Sequence, residues 1–344
     1  MLYNKLKNGK TINIGLQILK MLLSFWVVVI HSYFFVGKKQ LKKHFNEKMF
    51  HVPTFMFISF YFFYNHLATK DNFKIIQRLK RLFIPYVIWP FIYLIIDDSI
   101  NKIFGIKNFK KELSLKDYFY QIILSERYYA SFWYMNIVLF LSILFSIIAY
   151  IFKTYFLFII QLLGFFPYIL HHCGIYNFLR KHNIFRLCLV LLIQIAPISI
   201  IGLTSGSVNL INFLKQCYFR ILIISFISLI CLIKFDIFPP HDGFLYPRVE
   251  LNTLGAINLF IFFSSLPFET NLSKHINIFI KNISNNTGGI YYIHNFCRGY
   301  LLKFIIPIRN GTFLGSIILY IICHFICFIG SKIFENNSLK YLFI

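Results

Sequence analysis

Lys20 and His31 are the first residues in this chain placed to do chemistry, because the run between them, MLLSFWVVVI, is apolar apart from one serine. A lysine at membrane depth costs about 2.5–3.5 kcal/mol on the insertion scale, so its presence there suggests a purpose. On a helix, the eleven-residue step from Lys20 to His31 turns through three turns plus about 20°. Both side chains therefore project from one face, about 16 Å apart along the axis. A groove along that face would hold a cation at one end and, at the other, an imidazole able to accept a proton near neutral pH. The same spacing also arises if Lys20 snorkels to the headgroups and His31 simply ends the span.

A second candidate is RLKRLFIPYVIW, in which Arg78 and Arg81 stand three apart ahead of an apolar run. On a helix they share a face. Two guanidiniums so placed offer forked donors to a phosphate or diphosphate, a geometry that lysine point charges do not reproduce. A plain juxtamembrane basic cluster would give the same pattern. Pro85 is expected in the first turn of the following span, where its missing N–H matters little. No GxSxG motif is present, so a covalent serine acyl-enzyme has no support. His51, His66, His171 and His172 lie at unrelated positions without a neighbouring carboxylate, and no metal site is expected. Seven cysteines without CxxC spacing argue against a disulfide framework or a zinc site.

The elements that must position these residues follow from composition. Of 344 residues, 58% are hydrophobic and 14% charged, against the roughly 25% charged residues of a soluble domain. At about 20 residues per span, the apolar content fills about ten helices. The expected fold is all-α, a polytopic membrane protein with about ten transmembrane helices in a single domain, residues 1–344, with no additional soluble domain. Apolar runs place the spans at 12–36, 50–67, 82–96, 132–152, 154–170, 185–203, 217–233, 251–268, 288–306 and 313–329. The longest polar stretch, Asp97 to Ser131, contains LKDYFYQIIL, which reads as a short amphipathic helix at the interface. The net charge of +23 would suggest nucleic acid in a soluble protein, but flanking basic residues suit anionic headgroups, and no nucleic acid is expected. Charge bias does not decide orientation, because Lys38–Lys48 and Lys70–Arg81 flank the second span about equally.

Taken together, these segments resemble the acyltransferase 3 family of integral-membrane O-acyltransferases. In that family a basic residue, ten intervening residues and a histidine mark the first helix, matched here by Lys20 and His31, with Lys in place of the usual Arg. The family's Arg-x-x-Arg matches Arg78 and Arg81, and its following residues match Ile84, Pro85, Tyr86 and Trp89. Trp133 and Tyr134 stand at its Trp-Phe position. GGIYYIHNF is similar to its late Tyr-x-x-His, with His294 as that histidine. In FISFYFF, Ser59 and Tyr61 match, while Phe60 stands where many members carry a glycine that would allow close backbone approach.

The resemblance implies transfer of an acyl group, most often acetyl from acetyl-CoA, to a hydroxyl of a cell-surface glycan or its lipid-linked precursor. It implies His31 as general base, with Lys20, Arg78 and Arg81 holding the phosphates of acyl-CoA as a donor co-substrate and no permanently bound cofactor. Trp133 and Tyr134 would stack against sugar, although Trp and Tyr also form interfacial belts. His294 would be a second polar lining residue or a helix–helix hydrogen-bonding group. The location implied is a plasma or inner membrane, multi-pass, in contact with lipid. Two other readings are a flippase or transporter of an anionic lipid-linked sugar, which needs positive charge but no titrating base, and a structural membrane subunit.

Overall fold

The computed structural model describes residues 13–32, 51–104, 133–163, 186–208, 210–211, 223–228, 230, 249–266, 273–298 and 313–344. The helices are α1 (Ile14–His31), α2 (His51–Ala68), α3 (Asn72–Phe104), α4 (Trp133–Phe152), α5 (Arg186–Ser207), α6 (Val249–Ser265), α7 (Lys274–Asn285), α8 (Thr287–Phe296) and α9 (Phe313–Ile333), with 3₁₀ turns at Lys153–Tyr155 and Ser338–Leu342. No strand occurs among the described residues. Among the described residues, three helical stretches are long and apolar enough to cross a membrane by length and composition, at Ile14–His31, Tyr134–Leu163 and Phe313–Ile333. The run Lys38–Lys48, the segment LKDYFYQIIL and most of the expected span at 217–233 lie outside the described residues.

Helix α1 is the hub, touching α2, α6, α7, α8 and α9. Asn13 caps it and ties it to α6. Its Oδ1 accepts from the Leu16 N–H at 3.0 Å, filling one orphan donor of the first turn, and its Nδ2 donates to the Ser264 carbonyl at the end of α6 at 2.9 Å. Toward α9, short polar links replace the hydrophobic drive that helices lack in lipid. Ser32 and Ser316 hydroxyls meet at 2.7 Å, Ser24 and Tyr320 at 2.9 Å, and Tyr320 also donates to the Met21 carbonyl at 2.8 Å. The pairing of 32 with 316 and of 21–24 with 320 shows that α1 and α9 run antiparallel.

Among the described residues, the most extensive helix pair is α2 against α5. It depends on Gly202 and Gly206, one turn apart on α5. A Cβ on Gly202 would lie 2.6 Å from the Phe57 carbonyl oxygen, and one on Gly206 would lie 2.6 Å from that of Tyr61. Only glycine permits backbones this close, which is the small-xxx-small mode of helix association.

Helix α3 differs from expectation at both ends. It begins at Asn72, well before the apolar run, and continues to Phe104 through residues expected to be loop. Its start is explained by Asp71, whose carboxylate accepts from the Lys74 N–H at 3.1 Å and pairs with the Lys74 ammonium at 2.5 Å. These hydrogen bonds hold the Asp71 carboxyl below its usual range. Pro85, expected in a first turn, is therefore in the helix interior together with Pro90. The basic segment 74–81 is thus on one helix with the apolar run that follows it. A second difference is α7, a helix where sequence reading left a connection between two spans. The Ser273 hydroxyl caps it, accepting from the Ile276 N–H at 3.4 Å. Lys153, at φ 47°, sits in the turn that ends α4.

Candidate functional site

His31 is the last residue of α1, and α8 brings a second imidazole to it: the rings of His31 and His294 are 5.1 Å apart, centroid to centroid. His294 is fully buried. Its Nδ1 lies 3.1 Å from the Ile290 carbonyl of its own helix. A carbonyl only accepts, so Nδ1 carries the proton and Nε2 the lone pair. No hydrogen-bond partner of that Nε2 is found among the described residues. The α8 backbone thus selects the tautomer of a buried base beside His31.

Arg298 completes this end. Its Nη1 donates to the His31 carbonyl, satisfying an acceptor that the last turn of α1 leaves open. The end of α8 is itself shaped by Tyr93 of α3, whose hydroxyl donates to the Tyr292 carbonyl at 2.6 Å and accepts from the Phe296 N–H at 3.0 Å. Those two groups are partners in an uninterrupted α-helix, so the phenol is inserted at the ladder. Beyond it, Cys297 and Arg298 form a π turn. Trp89, one turn before Tyr93, stacks on the Tyr292 ring at 6.4 Å and donates to the Leu342 carbonyl at 3.1 Å.

The other end of the face carries cations. Lys20 lies close enough to Arg81 for their charges to repel, and Arg81 to Arg78 likewise. No carboxylate pairs with any of the three among the described residues. The two arginines are not equivalent. Arg78 donates through Nε to the Ser142 hydroxyl at 3.3 Å, through Nη1 to the Ser59 carbonyl at 3.3 Å and through Nη2 to the Ser59 hydroxyl at 2.7 Å. Its guanidinium also lies over the rings of Phe63 at 4.3 Å and Phe60 at 5.3 Å. Arg78 thus ties α3 to α2 and α4. Phe60, the residue standing at the glycine position, is part of its seat. Arg81 makes no hydrogen bond among the described residues and remains exposed, facing Lys20 and Tyr341.

Tyr134 is buried between these two ends. It is within electrostatic reach of Arg78, and its ring is 5.3 Å from that of Tyr291, which lies 6.1 Å from His294. Trp133 opens α4, but its side chain lies outside the described set. The structure therefore brings His31 and His294 together at one end, Lys20 and Arg81 at the other, and Tyr134 between. It adds Arg298 and Tyr93, which sequence reading did not single out. Arg298 had a signal, a basic residue four after His294 and hence on the same helix face. Tyr93 had none, since its role exists only across two helices.

The chain matches no curated protein and no solved structure. A family model, described as an acyltransferase domain, matches residues 13–332, which takes in every residue of the site just described. With its motifs in the family's order and nearly its whole length covered, this chain belongs to that family of membrane acyltransferases.

Proposed function

We propose that this protein is a polytopic O-acyltransferase of the cell membrane, built as one domain of about ten spans. It would take an acyl group, foremost acetyl from acetyl-CoA, and transfer it to a hydroxyl of a cell-surface glycan or its lipid-linked precursor. One observation carries the reading: the α1 face has, at Lys20, cations with no carboxylate paired to them among the described residues and, at His31, a pair of imidazoles, separated by about 16 Å of helix. Acyl-CoA has the same polarity, with phosphates at one end of a long arm and the thioester at the other. Lys20 and Arg81 would hold the phosphates, while Arg78 keeps the cationic helix in place.

In the reaction, His31 accepts the proton of the acceptor hydroxyl as its oxygen attacks the thioester carbonyl carbon. The C–S bond then breaks and the thiolate of CoA leaves, taking up a proton. His294, with its lone pair on Nε2, supports His31 as a neighbouring neutral base. Tyr134 and Trp133 would offer aromatic faces to the sugar.

The test is acyl-CoA consumption and product formation by the purified protein, in detergent, with envelope glycans as acceptors. Donor-dependent acylation that is lost in His31→Ala supports the reading. Movement of lipid-linked sugar across vesicles without any acyl-CoA consumption would replace it with the flippase reading.

A further inference from the structure

We propose that α7 lies in the plane of the membrane interface as an amphipathic anchor, with Ile276 and Phe279 sunk among lipid chains and anionic headgroups held by its basic residues. This stands apart from the catalytic reading and rests on how α7 is oriented. With twelve residues it is about 18 Å long, too short for a hydrocarbon core of about 30 Å. Of the three side chains it buries among those described, two are polar. The side against the protein carries Asn277 and Ser284, 7% and 3% exposed, with Ile280 between them, and the Ser284 hydroxyl donates to the Gln17 side chain at 2.6 Å. Away from that contact Phe279 is 63% exposed and Ile276, on the same edge, 45%, with exposed His275 and Asn282 beside Phe279.

In water, Phe279 and Ile276 would form an uncovered apolar edge on this face. Three features point to a bilayer surface as its cover. The segment KHINIFIKNISN has two lysines and a histidine and no acidic residue, the composition that binds anionic headgroups. It is held against Gln17, in the first turns of α1, where a membrane-spanning helix begins. Asn286, at φ −89° and ψ 0°, breaks the helix between α7 and α8, so that α8 can enter the membrane while α7 stays at its surface. Because Gln17 is one turn from Lys20, the anchor would also set the membrane plane near the cationic end of the site.

The experiment introduces Phe279→Trp, and separately Ile276→Trp, into the full chain in vesicles of phosphatidylcholine and phosphatidylglycerol. The emission of the parent, from Trp26, Trp89 and Trp133, is subtracted. Both positions are outward-facing, so neither change disturbs the interior. For an apolar face about 5–10 Å into the headgroup boundary, quenching by lipids brominated near the headgroup should exceed that by lipids brominated near the chain ends by about twofold, with little quenching by aqueous acrylamide. Strong acrylamide quenching would show the face open to water. Stronger quenching from the chain ends would show that α7 is inserted across the membrane, and absence of quenching by either reagent would show protein on this face, a second copy included. Each of these three results overturns the proposal.

Discussion

Replacing Tyr93 by phenylalanine removes one oxygen from the place where α3 meets α8, and its effects on stability and activity are expected to separate. The lost hydroxyl donates to the Tyr292 carbonyl and accepts from the Phe296 N–H. Without it those two groups can pair with each other, so two hydrogen bonds are lost and one can be regained. At about 0.5–1.5 kcal/mol net per bond, the stability cost is about 1 kcal/mol. The positional cost is larger. Closing the ladder draws in the end of α8, which carries Arg298 and, through it, the hold on the His31 carbonyl. A shift of about 1 Å at a reacting group is able to lower a rate by about 10²-fold. The expected result is a turnover reduced about 10- to 100-fold, an unchanged donor KM and a melting temperature lowered by only a few degrees. The assay is acyl transfer per mole of folded protein alongside a thermal melt. Wild-type turnover, or a loss matching the unfolded fraction alone, would refute the idea that the phenol positions the histidine pair.

His31→Ala should fold normally and lose about 10²- to 10⁴-fold in turnover, and wild-type activity should fall on acidification, since only the neutral imidazole accepts a proton; a pH–rate profile and a melt check both. Arg81→Ala should raise the donor KM about tenfold with little change in melting, whereas Arg78→Ala should lower the melting temperature first, because it removes three hydrogen bonds and two ring contacts. Equal effects of the two on donor binding, by titration calorimetry, would contradict that division. Gly202→Ala places a methyl 2.6 Å from the Phe57 carbonyl oxygen, and separating α2 from α5 should cost about 1–3 kcal/mol, read as reduced yield and melting temperature.

Much of the site was legible from local spacing. That Lys20 and His31 share a face, that Arg78 and Arg81 do, and that apolar runs become helices all follow from 3.6 residues per turn and from the need to satisfy backbone groups in lipid. The same rule puts Arg298 on the face of His294. The Gly202–Gly206 spacing was equally open to reading. What only the tertiary structure decided is which faces meet. The rings of His31 and His294 are brought to 5.1 Å from far apart in the chain by the packing of α8 on α1. Arg78 is held by Ser59, Ser142 and two phenylalanines while Arg81 is left exposed, a difference set by the rotation of α3 against α2 and α4 and invisible in a motif that treats the two alike. The sequence also suggests an amphipathic helix only at LKDYFYQIIL, yet α7 is a helix that buries Ser284 because Gln17 offers it a partner there. Periodicity along one chain determines which side chains share a helix face, but the groups opposite that face depend on interhelical packing and come from other parts of the sequence.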